Sequence, residues 1–186
     1  MAVGYFPAVL AAITLGEMQE DTSDTFGHAP LYSGQYVCVM RRDHPLAAGP
    51  ISLDVYCGAR HLLVSFSGRP FGFVDEALAV IKRSRRIVVT VNQFFTAAQV
   101  VAHSELLTIL PLDFILSTGI ADQLAWQPLP LPLQVPQLQV DMLWHRRQQA
   151  APAQAWLRTA VLRLADDDPF TSKVRPARYS GDPVAA

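Results

Sequence analysis

From about residue 35 onward, short apolar runs alternate with amphipathic stretches along the chain. Apolar runs of about five to eight residues are typical of strands that helices cover on both faces, and the stretches between them have the spacing of crossover helices. The alternation therefore predicts an α/β fold built on a parallel sheet. The predicted strands are residues 35–41, 61–66, 86–91, 106–110 and 137–144.

Helix starts are marked by residues that suit the first turn of a helix. Ser52 and Asn92 are expected to cap helices, because their side-chain oxygens can accept hydrogen bonds from the free backbone amides there. Pro152 fits the first turn of the last helix, where its missing N–H is harmless. The predicted helices are 53–57, 73–82, one from Asn92 to about His103, and one from Pro152 whose apolar stripe over 156–164 should dock on a sheet.

Three segments depart from this alternation. Residues 16–34 are polar and acidic, which predicts a surface loop. Residues 126–136 contain four prolines, which favour an extended connector or hinge, because proline cannot donate to a central ladder. Residues 166–186 lose all periodicity and are expected to form a disordered tail.

Composition narrows the class of protein. The chain has 186 residues, 51% of them apolar and 17% charged, which suits one folded domain or two small lobes. Its net charge of −1 argues against DNA binding by this chain alone, since DNA-binding proteins concentrate Lys and Arg on one face. Cys38 and Cys57 have neither zinc-ligand nor disulfide spacing, and the apolar run over 1–15 is too short to span a bilayer. We therefore expect a cytoplasmic protein with no metal, no other cofactor and no membrane partner.

The motifs of common enzymes are not found. A nucleophile elbow needs Gly-x-Ser-x-Gly, and the run from Ser65 to Arg69 has Ser and Arg where both glycines belong. The turn from Gly68 to Gly72 matches neither a dinucleotide fingerprint nor a phosphate-binding P-loop. The basic run over 82–86 is interpreted as a solvated helix end in preference to a nucleic-acid contact. No catalytic residue is predicted.

Two polar turns that follow predicted strands form the candidate binding site. The first offers the hydroxyls of Ser65 and Ser67, the Arg69 guanidinium and backbone amides, a set that suits a small carboxylate. The second, over 90–96, offers side-chain amides and two phenylalanines. Because ligands of open α/β sheets bind at the carboxyl ends of strands, the two turns predict one crevice. Ordinary helix caps with core phenylalanines explain the same residues equally well.

Five segments, in this order, resemble the effector-binding region of LysR-type transcriptional regulators, in the subgroup that includes nodulation and aromatic-catabolism activators. The run YVCVMRRDHPLA and the closing VDMLWH are specific in combination, and the resemblance covers about residues 2–164. The segments are AVGYFP (2–7), QYVCVMRRDHPLA (35–47), HLLVSFSGRPFGFVDEALA (61–79), TVNQFFTAAQVVAHSELLTILP (90–111) and VDMLWHRR (140–147).

The resemblance implies a two-lobed, periplasmic-binding-protein-like (type 2) α/β fold over residues 1–165, with a small effector in its cleft. Lobe one would comprise 2–55 and 133–166, and lobe two 57–132. The family starts with a winged helix-turn-helix, a linker helix and opening strands that have no counterpart before residue 2, so we expect a truncated chain with an incomplete first lobe. Together with Arg69, the effector-binding residues carried over are Tyr5, Phe6, Ser65, Ser67, Gly68, Asn92, Gln93 and Phe94.

The leading hypothesis is a non-catalytic sensor that binds a small aromatic or carboxylated effector and makes no direct DNA contact. Oligomers with the same or other regulator subunits are expected to be weakened, because the truncation removes one helix of the family's dimer interface. Two alternatives stay open. One is a small α/β enzyme that uses the same crevice, and the other is a regulator fragment that acts only through protein–protein contacts.

Overall fold

The computed structural model of the protein describes residues 1–4, 25–66, 68–130 and 132–167. The strands in these ranges are β1 (Ala2–Gly4), β2 (Phe26–Gly34), β3 (Tyr36–Arg41), β4 (Arg60–Val64), β5 (Arg86–Val91), β6 (Thr108–Pro111), β7 (Leu124–Gln127) and β8 (Leu138–His145). The α-helices are α1 (Leu53–Gly58), α2 (Phe73–Val80), α3 (Phe94–Ala102), α4 (Leu112–Ser117) and α5 (Pro152–Asp167). They form two compact units: unit one holds β1, β2, β8 and α5, and unit two spans Gln35–Gln137.

Unit one contains a three-stranded antiparallel sheet in the order β1-β8-β2. Met142 on the central strand lies opposite Val3 on one side and Ala29 on the other. The register of β2 shifts between Pro30 and Tyr32, where the proline has no N–H to donate to the ladder. Helix α5 contacts β2, so the sheet has helical cover.

Gly27 allows an indole ring to approach the backbone closely within unit one. A Cβ at position 27 would lie 2.5 Å from Cε2 of Trp144, a distance at which the ring would have to move. The indole N–H donates to Gln149 Oε1 at 3.2 Å, and the Arg158 guanidinium lies 5.2 Å from the ring centroid. The ring of Trp144 thus ties the end of β8 to both β2 and α5.

Unit two contains a three-stranded sheet in the order β6-β3-β7 and a two-stranded sheet, β4-β5, which a bridge joins into one mixed layer. Strands β4 and β5 are parallel, and β3 lies between β6 and β7 and is antiparallel to both. A parallel bridge between His61 and Leu107 joins β4 to the start of β6. The hydroxyl of Thr108 strengthens this junction by donating to the carbonyl of Leu62 at 3.0 Å. The carboxyl ends of β5, β4 and β6 therefore lie along one edge of the sheet.

Helices cover both faces of this sheet. Val37 and Val39 of β3 belong to a core with α3 and α4, whereas Cys38 and Met40 belong to a core with α1 and α2. Because successive strand residues point to opposite faces, this division shows that both faces are buried. The helical partners in the first core are Ala97, Ala98, Val101 and Ile115, and those in the second are Tyr56, Val74 and Leu78.

The structure confirms the α/β class and most predicted elements. All five predicted strands are present, with their ends shifted by at most two residues. The cap at Ser52 is confirmed, because its Oγ accepts a hydrogen bond from Val55 N–H at 3.3 Å. Pro152 is the first residue of α5, as predicted.

Several local expectations are wrong. The sheet is mixed rather than parallel, and residues 26–34 of the predicted loop form β2, because they pair with β8. The expected connector over 126–136 begins inside β7. Helix α5 includes Asp166, which was assigned to the tail. Residues 16–24 and 168–186 lie outside the described residues.

The predicted docking of the 156–164 stripe is wrong for its two largest side chains. Trp156 and Leu164 are each 72% exposed. Ala160 and Val161 of the stripe are partly buried, as are Ala155, Arg158 and Leu162 outside it. The inward face of α5 therefore includes only part of the predicted stripe.

The boundary between the units differs from the expected lobes. Residues 35–55 were expected in lobe one, but they belong to unit two because β3 is bonded on both sides to strands of that unit. The chain returns to unit one at Leu138 rather than at residue 133. In the described part of the chain, no helix is long and apolar enough to cross a membrane.

Candidate functional site

The candidate site lies at the carboxyl ends of β4, β5 and β6 in unit two. A helix follows each strand there: α2 follows β4 after residues 65–72, α3 follows β5 after residues 92–93, and α4 follows β6 directly. This is the edge at which open α/β sheets bind ligands. The predicted approach of the two polar turns is supported by a bond between them, in which Ser65 N–H donates to the carbonyl of Val91 at 2.8 Å.

The turn over residues 65–72, called the effector turn below, places an aromatic ring in solvent. Ser65 is buried, whereas Phe66 next to it is 75% exposed. Gly68 has φ +72°, in the region that favours glycine, and its N–H donates to Ser65 O at 3.3 Å, which closes the turn. Arg69 and Phe71 are exposed beyond it. The turn therefore presents a ring and a cation outward from a fixed first residue.

Three phenylalanines, one from each connection, form a row across the strand ends. The rings of Phe66 and Phe94 are 5.6 Å apart and edge-on, and those of Phe94 and Phe114 are 5.7 Å apart. Phe94 and Phe114 pack against the core beneath the site. The row thus links the exposed Phe66 ring to the hydrophobic interior through aromatic contacts of favourable geometry.

Helix α3 begins beside this row without a side-chain cap. The expected cap at Asn92 is wrong, because the N-cap position is Gln93, and no side chain bonds to the first-turn amides of α3 within the described residues. A cap must stand directly before the helix to reach those amides. The amides of the first turn therefore remain able to donate to an anion.

Sequence reasoning found part of this site. The structure brings together the turns that carry Ser65, Gly68 and Arg69 and those that carry Asn92, Gln93 and Phe94. The predicted contacts Tyr5, Phe6 and Ser67 lie outside the described residues. Two residues of the aromatic row, Phe66 and Phe114, were not predicted as contacts. Phe114 could have been predicted from its position, because it follows a buried strand closely. The rule that ligands bind at strand ends applies to it as soon as residues 112–117 are assigned to a helix.

Two of the four cations in the basic run over 82–86 are paired with carboxylates. Arg83 forms an ion pair with Asp54 at the surface. The expected solvated position is wrong for Arg85, whose side chain is 2% exposed and whose Nε is 2.8 Å from Asp75 Oδ1. Burial alone lowers the pKa of Arg85, but the hydrogen bonds to Asp75 and the nearby Tyr56 hold it above its ordinary value. Arg85 is thus a buried cation with its own carboxylate.

Two buried ionisable groups on strands of unit two, His61 of β4 and Cys38 of β3, are uncharged at neutral pH. Burial lowers the pKa of His61 to about 4, and its Nε2 donates to the carbonyl of Tyr56 at 2.7 Å. Burial also raises the pKa of the Cys38 thiol to about 12. Among the described residues, no group of three or more His, Cys, Asp or Glu is placed to hold a metal ion.

Two units, each with a sheet and helices packed on it, form an α/β fold with strand ends available for a site. A model of the LysR substrate binding domain matches residues 11–166, and the chain belongs to this family. Its fold is the type 2 periplasmic-binding-protein-like fold of LysR effector domains.

Relatives agree with this assignment. The chain is 28% identical over 137 residues to the HTH-type transcriptional activator NahR of Pseudomonas putida, a match that covers 74% of this chain and 45% of NahR. The chain therefore spans less than half of that relative's length. The regulatory domain of MexT, a transcriptional activator in Pseudomonas aeruginosa, is similar with a TM-score of 0.61 and 28% identity, covering 75% of this chain and 67% of that one.

A structure with a bound ligand shares the fold. The effector binding domain of QuiR in complex with shikimate has a TM-score of 0.60 and 17% identity, and the match covers 88% of this chain and 79% of that chain. At this identity the likeness shows the fold alone.

Proposed function

We propose that the chain is the small-molecule sensor of a LysR-type transcriptional regulator and that its effector binds at the strand ends of unit two. The observation that carries the proposal is the ring of Phe66, which is 75% exposed yet held edge-on to Phe94. Covering an exposed aromatic side chain fully is worth about 1.5–3 kcal/mol. A flat apolar ligand that covers the ring gains much of this free energy. Because the contact with Phe94 already holds the ring, binding does not pay the full entropy cost of ordering it.

Donors beside the row favour an anionic group on the ligand. The first-turn amides of α3 bond to no side chain of the described residues. Such amides, at the positive end of a helix dipole, attract carboxylates. Arg69 is exposed on the effector turn and adds a second, charged donor. A small aromatic carboxylate satisfies both parts of the site.

The wider role follows from the family. The sensor is non-catalytic and acts in the cytoplasm, where a regulator meets DNA. DNA reading belongs to another segment or subunit, since the net charge of −1 gives this chain no excess of cations. Effector binding then shifts the regulator between states by a coupling free energy of about 1–3 kcal/mol. The complex of QuiR with shikimate supports small-molecule binding by this fold.

Calorimetry with three matched compounds tests the binding site. Benzoate carries both the flat ring and the carboxylate, cyclohexanecarboxylate lacks the aromatic face, and benzyl alcohol lacks the charge. We expect benzoate to bind at least about tenfold more tightly than either control. Absence of heat from benzoate and from a panel of substituted aromatic acids contradicts the proposal.

Turnover measurements test the non-catalytic assignment. Benzoate incubated with the protein should be recovered unchanged by mass spectrometry. Alanine at Ser65 and Ser67 should change affinity only. Conversion of the ligand by the unaltered chain, abolished by these two substitutions, would show that the site belongs to an enzyme.

A further inference from the structure

Arg85 is the buried centre of a polar cluster beneath the effector turn. Its side chain is 2% exposed, and all three of its nitrogens have a partner. Nε and Nη2 donate to the two oxygens of Asp75 at 2.8 and 3.1 Å. Nη1 donates to the hydroxyl of Tyr56 at 3.1 Å. The guanidinium therefore joins α1, α2 and the segment before β5.

Asp75 also bonds to the last residue of the effector turn. Its Oδ2 accepts from the backbone N–H of Gly72 at 2.8 Å as well as from Arg85. Gly72 is the last residue of the turn and the N-cap of α2. A Cβ there would lie 3.4 Å from Cδ1 of Leu63, so the backbone of Gly72 also rests against β4. A series of directional bonds thus runs from Tyr56 through Arg85 and Asp75 to Gly72.

The effector turn depends on its two ends for its shape. Its first residue, Ser65, is bonded to β5 through Val91. Its last residue, Gly72, donates to the carboxylate of Asp75 and accepts from the backbone amides of Asp75 and Glu76. Between these ends, the side chains of Phe66 and Phe71 are 75% and 53% exposed.

We infer that Arg85 and Asp75 are positioning residues for effector binding, an inference that rests on the proposed function of the turn. They do not touch the ligand. They fix Gly72, and with it the path by which Phe66 and Arg69 reach the site. A buried ion pair contributes little net stability compared with apolar side chains of similar size, but its bonds impose one geometry. Loss of the pair should therefore lower affinity through lost preorganisation.

The test replaces the pair by apolar residues. The double variant Arg85→Met with Asp75→Leu removes both charges and leaves no buried ion unpaired. The matched control is Arg83→Met with Asp54→Leu, which removes the surface pair of the same basic run. We expect the first variant to bind benzoate about tenfold more weakly at an unchanged unfolding midpoint, and the control to bind as the unaltered chain does. Unchanged affinity in the folded first variant overturns the inference.

Amide exchange without ligand separates this inference from the proposed function. The amide of Gly68, which bonds to Ser65 and to neither substituted side chain, should exchange about tenfold faster in the double variant, because the end of the turn is released. If the unaltered chain binds no aromatic acid, the proposed function fails, while faster exchange still establishes the positioning. Exchange equal to that of the unaltered chain overturns it. If the double variant does not fold, Tyr56→Phe, which removes one of the partners that hold the Arg85 guanidinium and keeps the ion pair, should give smaller changes in the same two readouts.

Discussion

The ring of Phe66 stands edge-on to the ring of Phe94, with 5.6 Å between centroids and 79° between ring planes. The two residues come from connections after different strands, β4 and β5, which are neighbours in the sheet. The parallel pairing of these strands is what brings the rings together. The contact holds an otherwise exposed side chain in a defined place at the strand ends.

Phe66→Ala should weaken benzoate binding by about tenfold, because the ligand loses the exposed ring that it covers. The free energy of unfolding should change by no more than about 0.5 kcal/mol, since the side chain is 75% exposed. Trp156→Ala is the matched control, because Trp156 is a similarly exposed aromatic residue at 72%. Calorimetry and chemical denaturation measure both quantities. Equal benzoate affinity in the two variants would show that Phe66 is not part of the site.

Gly27→Ala should destabilise unit one. The new Cβ would lie 2.5 Å from the indole of Trp144, and displacing the ring disrupts its contacts with Gln149 and Arg158. Overpacking of this kind costs about 1–3 kcal/mol. Hydrogen exchange should rise in β2 and β8. Gly58→Ala is the control, since nothing lies within 4 Å of a Cβ there, and it should leave exchange in those strands unchanged.

Stability should fall in acid because of His61. Its pKa is lowered from 6.5 to about 4 by burial, so the unfolded chain takes up a proton below pH 6.5 that the folded protein does not bind. The free energy of unfolding therefore falls by up to about 1.4 kcal/mol per pH unit as the pH drops from 6.5, and this contribution levels off below about pH 4.

Denaturation curves of His61→Gln across this range check the prediction. The difference in unfolding free energy between the variant and the unaltered chain should change with pH over this window. His103→Gln, at an exposed position, should retain the full dependence of the unaltered chain. If the free energy of unfolding of His61→Gln depends on pH in the same way as that of the unaltered chain, the prediction is wrong.

Strand β3 should be the better protected of two strands in unit two. It is bonded on both sides, to β6 and β7, and its residues 37–40 are buried. Strand β5 pairs only with β4 among the described residues, and Val88 and Val89 are 41% and 38% exposed. Native-state hydrogen exchange should therefore find slower exchange in β3 than in β5. Faster exchange in β3 would contradict the assignment of residues 35–55 to unit two.

Local patterns predicted the elements of the fold better than their pairing. The apolar run over 35–41 marks β3 correctly, but nothing within it shows that its neighbours, β6 and β7, begin far along the chain and run antiparallel. Strand β2 was not predicted, because Gly27, Pro30 and Gly34 interrupt the alternation of apolar and polar residues. The strand forms because its pairing with β8 outweighs the low strand propensity of these residues.

The sequence predicted the position of the candidate site but not the exposure or burial of its side chains. The strand-end rule located both turns, since it needs only the strands. The exposure of Phe66 depends on the turn closed by Gly68, and the burial of Arg85 depends on Asp75 and Tyr56, which only the folded chain brings together. Sequence spacing therefore described Arg85 as one more surface cation.

The most direct test of the central claim is a benzoate titration of the isotopically labelled chain followed by amide chemical shifts. The effector is proposed to bind at the carboxyl ends of β4 and β5, so the largest shift changes should fall in residues 65–72 and 92–95 and saturate with one affinity. Shift changes confined to other residues, or no change at any benzoate concentration that the protein tolerates, would contradict it.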